Sequence, residues 1–146
     1  MKRIFLIVLA FILLSSPSVW AGSVTGNGTL INTGDKQYKI VLKCTGVISD
    51  TIINPTGMVE AGLYLYRVIV ESLAADAAVT NNSDVYIYDL SGTDLLSGDG
   101  VDQLDDSTRN YIQLSAYEPI IGSIKLSVAN QAEAAGIFTV TLILVK

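Results

Sequence analysis

The stretch Tyr38-Lys39-Ile40-Val41-Leu42-Lys43-Cys44 decides the fold. Tyr38, Ile40, Leu42 and Cys44 alternate with Lys39, Val41 and Lys43. Successive side chains of a strand point to opposite faces, so one face here is apolar and the other partly charged. That is the pattern of an antiparallel strand packed on one side. Comparable stretches recur along the chain. Residues 63–71 are rich in Leu, Tyr, Val and Ile, 84–90 read DVYIYDL, and 124–128 read IKLSV. Residues 137–145, IFTVTLILV, are the most β-prone of all. Weaker candidates are 111–114 and 23–31. Turn signals separate them: Gly26-Asn27-Gly28, Asn32-Thr33-Gly34-Asp35, Asn54-Pro55-Thr56-Gly57, Asn81-Asn82-Ser83, Ser91-Gly92 and Ser97-Gly98-Asp99-Gly100.

Helix has little support, because the Ala-bearing stretches 73–78 and 129–135 amount to about two turns each at most. The expectation is an all-β chain: a single antiparallel β-sandwich or jelly-roll-like domain of about six to eight short strands over residues 22–146. The stretch 137–145 is apolar on both faces, which suits a core strand. Residues 136–146 on a sheet edge would instead be free to pair with a neighbouring subunit.

The first 21 residues read differently. Met1-Lys2-Arg3 is basic, residues 4–14 are an unbroken apolar run of 11, and Val19-Trp20-Ala21 ends the segment with a cleavage-site pattern. Those features make a secretory signal peptide over residues 1–21, cleaved near Ala21. As a helix the run spans only about 16 Å, about half of a hydrocarbon core, too short for an anchor. No second long apolar run exists, so no membrane insertion is expected after cleavage. The expected location is periplasmic or extracellular.

Composition removes much chemistry. The 146 residues include 9 Lys plus Arg, 14 Asp plus Glu, one Cys and no His. Without histidine there is no Ser-His-Asp triad, Cys-His pair or imidazole base. One cysteine permits no internal disulfide, and Cys44, on the apolar side of its strand, reads as a small buried hydrophobe. Beyond Ala21 the chain holds 7 basic against 14 acidic residues, a charge of −7. That balance argues against nucleic acid and anionic lipid as partners. No catalytic residue is expected. A hydrolase would need paired carboxylates that nothing in the sequence marks.

The acids concentrate. Between Arg67 and Arg109 there is no basic residue, yet nine of the fourteen acids lie there. Within that window 97–104 (SGDGVDQL) follows the calcium nonapeptide GGxGxDxUx except at its first glycine. Gly92-Thr93-Asp94-Leu95-Leu96 supplies half of a preceding unit. Asp94, Asp99 and Asp102 are therefore the candidate Ca²⁺ ligands, since carboxylates are hard oxygen donors. The spacing is imperfect: Asp94 and Asp102 stand 8 apart where the repeat requires 9. The competing reading is a loop in which Asp and Gly serve turn geometry. Tyr64 and Tyr66 share one strand face, as do Tyr86 and Tyr88, and neighbouring strands would join them into a sugar-stacking patch. Ordinary strand packing is the alternative for these tyrosines.

The order of motifs over residues 62–146 resembles that of small all-β, virion-associated or uncharacterised proteins of tailed bacteriophages. The likeness is carried by GLYLYRVIVE, NNSDVYIYDLSGTDLLSGDGVD, IGSIKLSVAN and GIFTVTLILVK. It implies a structural role with no catalytic residue, and the signal peptide is a departure from it. The expected function is an exported, non-enzymatic β-sandwich with a structural or surface-attachment role, virion-like or in a filament or surface layer, self-assembling into a homo-oligomer or joining a surface assembly. The alternative is a Ca²⁺-assisted carbohydrate or surface-binding module with a glycan partner.

Overall fold

Alternating apolar residues organise the chain into strands β1 (Ser23–Thr25), β2 (Ile31–Gly34), β3 (Gln37–Thr45), β4 (Thr51–Ile53), β5 (Tyr64–Ser72), β6 (Asp84–Tyr88), β7 (Arg109–Pro119), β8 (Ile124–Ala129) and β9 (Ile137–Val145). The computed structural model describes residues 22–25, 30–34, 36–54, 62–73, 79–106, 109–133 and 135–146. The expected signal peptide, residues 1–21, lies outside the described residues, as does most of the 73–78 stretch. Nine strands stand among the described residues where six to eight were expected. The shortest are β1, β2 and β4, of three or four residues; β1 falls within the candidate stretch 23–31, whereas β2 and β4 are too short for alternation to reveal. β2 also occupies Ile31–Gly34, so part of the expected turn at 32–35 is strand.

Every strand pairing is antiparallel. The larger sheet runs β1-β3-β9-β5-β7, with β2 also on β3, and the smaller runs β4-β8-β6. The chain is a β-sandwich. Ile40, Leu42 and Cys44 of β3 sit opposite Leu142, Val140 and Phe138 of β9. Val68 and Val70 of β5 continue those rows. Together with Ile53, Val85, Ile87, Ile124 and Leu126 of the smaller sheet they form one core cluster. Burying each such side chain contributes about 1.5–3 kcal/mol.

β9 is central, held by β3 on one side and β5 on the other. Its backbone is therefore occupied within the chain, as the core-strand reading of 137–145 expects, and the alternative of residues 136–146 pairing with a neighbour from a sheet edge falls. Among the described residues no helix is long and apolar enough to cross a membrane. Cys44 is fully buried, and burial pushes its thiol up to about 12.

The segment after β6 folds back along that strand's free edge. Leu95 donates its N–H to Ile87 O at 2.7 Å, Val85 donates to Gly100 O at 2.8 Å, and Ser83 and Leu104 exchange bonds of 3.1 and 3.0 Å. Leu95, Leu96 and Leu104 are buried beneath this wrap. An edge that would otherwise expose unpaired backbone is thus covered.

Candidate functional site

Three outward residues of the smaller sheet line up across it. Ile52 of β4 faces Lys125 of β8, which faces Tyr88 of β6. Period two puts Tyr86 on the same face as Tyr88. Their rings stack with centroids 5.7 Å apart and planes 11° from parallel. The Lys125 ammonium stands 5.8 Å from the Tyr88 ring centre. Asp50, Tyr88, Gly92 and Lys125 line a cleft of about 190 Å³ beside the pair. An aromatic wall, a carboxylate and an ammonium thus converge on one open cleft.

The first of these tyrosines is held by a neighbour on the same face of β6. Asp84, 8% exposed, accepts from the Asp102 N–H at 2.9 Å, the Asn130 amide at 2.9 Å and the Tyr86 hydroxyl at 3.3 Å. One carboxylate therefore ties the wrap, the end of β8 and the first tyrosine together. Desolvation raises the Tyr86 phenol above its ordinary pKa of 10.0, and the charge and hydrogen bond of Asp84 add to this. Tyr88 is raised as well, by desolvation first and then by the charges of Asp94 and Asp50. Both phenols stay protonated at neutral pH; the Tyr86 hydrogen is taken by Asp84, and the Tyr88 hydroxyl keeps its donor for a ligand.

The candidate calcium ligands stand elsewhere in their loop. Asp94 accepts from the Leu96 N–H at 3.0 Å and the Gly98 N–H at 2.9 Å, one bond to each carboxylate oxygen. That is the turn role of aspartate. Asp99 is exposed, and Asp102 is exposed with φ of 56°. Among the described residues no group of three or more Asp, Glu or Cys is arranged to hold a metal ion. Gly100 has a structural reason to be glycine, because a Cβ there would lie 1.8 Å from Val85 O.

The four tyrosines do not form one patch. β5 lies in the larger sheet and β6 in the smaller, so Tyr64 and Tyr66 are not cross-strand neighbours of Tyr86 and Tyr88. A register shift between Leu65 and Arg67 places a bulge at Tyr66. The Tyr66 ring meets Tyr117 edge-on at 5.5 Å, with the Arg67 guanidinium 5.2 Å from its centre. Arg67 Nε in turn donates to Gln113 Oε1 at 2.8 Å. Tyr64 remains 44% exposed on its strand. Sequence reasoning missed Asp50, Lys125 and Tyr117. Alternation in IKLSV does turn Lys125 outward, but nothing local to β8 says that Tyr88 is its neighbour.

Fold and cleft define the chain as an antiparallel β-sandwich with an aromatic, mixed-charge cleft on its smaller sheet. The sequence matches no family model and no curated protein. Among solved structures it is similar to the CBM22-1 xylan-binding domain from Paenibacillus barcinonensis, at 17% identity and a TM-score of 0.33 over 86% of each chain. It is likewise similar to a CBM22-1–CBM22-2 tandem domain from the same organism, at 17% identity and a TM-score of 0.33 over 90% of this chain and 48% of that one. Likeness at that level does not extend to a ligand.

Proposed function

We propose that this protein is an exported, non-enzymatic attachment module that binds a surface glycan through the Tyr86–Tyr88 cleft. The observation that carries this reading is the convergence of the stacked tyrosines with Lys125 and Asp50. Sugar rings present apolar C–H faces and a rim of hydroxyls. Tyrosine rings take the former, while a carboxylate, an ammonium and phenol hydroxyls take the latter. Half-buried positions on sheet strands hold the two tyrosines and Lys125 in place without ordering a loop on binding. A surface-attachment role also accommodates the resemblance to phage virion-associated proteins.

Calcium is a separable part of the proposal. Asp99 and Asp102 keep exposed carboxylates, so an ion would bind through them and carbonyl oxygens of the wrap. Affinity electrophoresis in gels containing neutral or acidic polysaccharides, with Ca²⁺ and with chelator, tests both parts. Retardation that Tyr88→Ala abolishes supports the cleft, and loss on chelation supports the ion. Unretarded migration in every polysaccharide overturns the reading.

A further inference from the structure

The outer face of the larger sheet carries a charge opposite to that of the molecule. Lys39 and Lys43 of β3, Arg67 of β5 and Arg109 of β7 alternate with inward-pointing core residues and so share this face. Glu71 is the acid among them, bonded to Arg109 at 2.5 Å. Between the cations lie half-buried Ile69 and Tyr111, the latter 55% exposed. No described element packs on this side. Strands of nine residues and four inter-strand positions make it roughly 30 Å by 20 Å, comparable to one side of a standard protein interface.

The opposite charge lies on another side of the same molecule. The wrap presents Asp99, Asp102 and Asp106 to solvent, in a segment from 68 to 108 with no basic residue. It runs along the free edge of β6 and reaches the edge of β7, where Asn110 donates to Gln103 O at 2.8 Å. Of the four cations Arg109 alone neighbours the wrap in sequence, and it is bonded to Glu71.

We infer that the basic outer face of the larger sheet docks the acidic wrap of a second copy of this chain. Charge complementarity selects that occupant. A chain of net charge −5 repels a free polyanion at long range, whereas each further copy brings both signs in fixed positions. The two surfaces differ, so the contact is heterologous and leaves a free face of each kind at the ends. Repetition gives a ring or an open filament. None of the docking side chains lines the glycan cleft, so this inference does not rest on it. Asp99 and Asp102 are also the carboxylates proposed for calcium, so association is measured in chelator.

Sedimentation velocity over a protein and salt series tests it. The mass should grow with concentration in low salt and return to one copy in high salt, since exposed charges are screened beyond about 8–10 Å. Lys39→Glu/Lys43→Glu and Asp99→Lys/Asp106→Lys should each weaken association at least about tenfold. Mixing the two variants should restore association, because the native wrap of one meets the native face of the other and the two reversed surfaces also complement each other. Circular dichroism of each variant establishes that it is folded. A single copy at every concentration and salt overturns the inference. So does a mixture of folded variants that fails to associate.

Discussion

Val85 donates its N–H to the Gly100 carbonyl at 2.8 Å, and a Cβ on Gly100 would stand 1.8 Å from the Val85 carbonyl oxygen. The wrap lies that close to β6 because one of its residues has no side chain. Gly100→Ala should therefore push the wrap off the strand edge and destabilise the fold by about 1–3 kcal/mol. The midpoint of urea unfolding checks this. Gly98→Ala is the contrast, since no atom lies within 4 Å of its missing Cβ and only its φ of 89° resists substitution.

Asp84 should matter more to stability than any exposed acid of the wrap. Its carboxylate takes three donors while nearly buried. Asp84→Ala leaves the Asp102 N–H and the Asn130 amide without their acceptor, at a cost of about 3 kcal/mol. Asp99→Ala should change stability by less than about 0.5 kcal/mol. Equal effects in chemical denaturation would contradict the hub role of Asp84.

The Cys44 thiol should resist alkylation in the folded protein at pH 8 and react once urea unfolds it. Its folded pKa of about 12 exceeds the ordinary 9.0. The unfolded chain therefore loses this proton first as pH rises. Stability linked to Cys44 is complete below about 9 and declines as pH climbs toward about 12. Cys44→Ala should remove that part of the alkaline decline.

Asp89 should titrate below its ordinary 3.8. The Ser91 hydroxyl, 2.7 Å from Oδ1 and 2.9 Å from Oδ2, is the chief cause, followed by the Thr93 N–H at 2.8 Å. A depressed folded value means that this small contribution is present above 3.8 and is lost as pH falls through the lower, folded value. Carboxyl chemical shifts followed by NMR should show Ser91→Ala moving the titration upward.

Tyr88→Ala should weaken glycan binding about tenfold or more while leaving the unfolding midpoint nearly unchanged, as expected of an aromatic anchor on an outer face. Tyr117→Ala, whose ring meets Tyr66 on the larger sheet, should leave glycan binding as it was. Equal losses in the two variants would remove the cleft from consideration.

Much of the architecture was legible before folding was considered. Alternation in 38–44 and the apolar run in 137–145 identified β3 and β9, and the same alternation placed Cys44 inside. The site was less legible. Tyr86 and Tyr88 were visible as a pair because i and i+2 share a face. Their separation from Tyr64 and Tyr66 was not, because strand order depends on contacts distant in sequence. Asp94 shows the same limit, for its oxygens are taken by Leu96 and Gly98, and a repeat-like spacing does not report that.

The sequence by itself determined what each strand does locally: which side is apolar, and that histidine chemistry is absent. Those follow from side-chain period and composition, which no partner can alter. Only the tertiary structure decided which strands are neighbours. It set β9 at the centre, brought Asp50 and Lys125 to Tyr88, and gathered four cations on the face of one sheet with the acids beside the other. The physical reason is that a strand's hydrogen bonds are indifferent to which partner they join. Burial of one shared core selects the pairing, and that selection belongs to the whole chain.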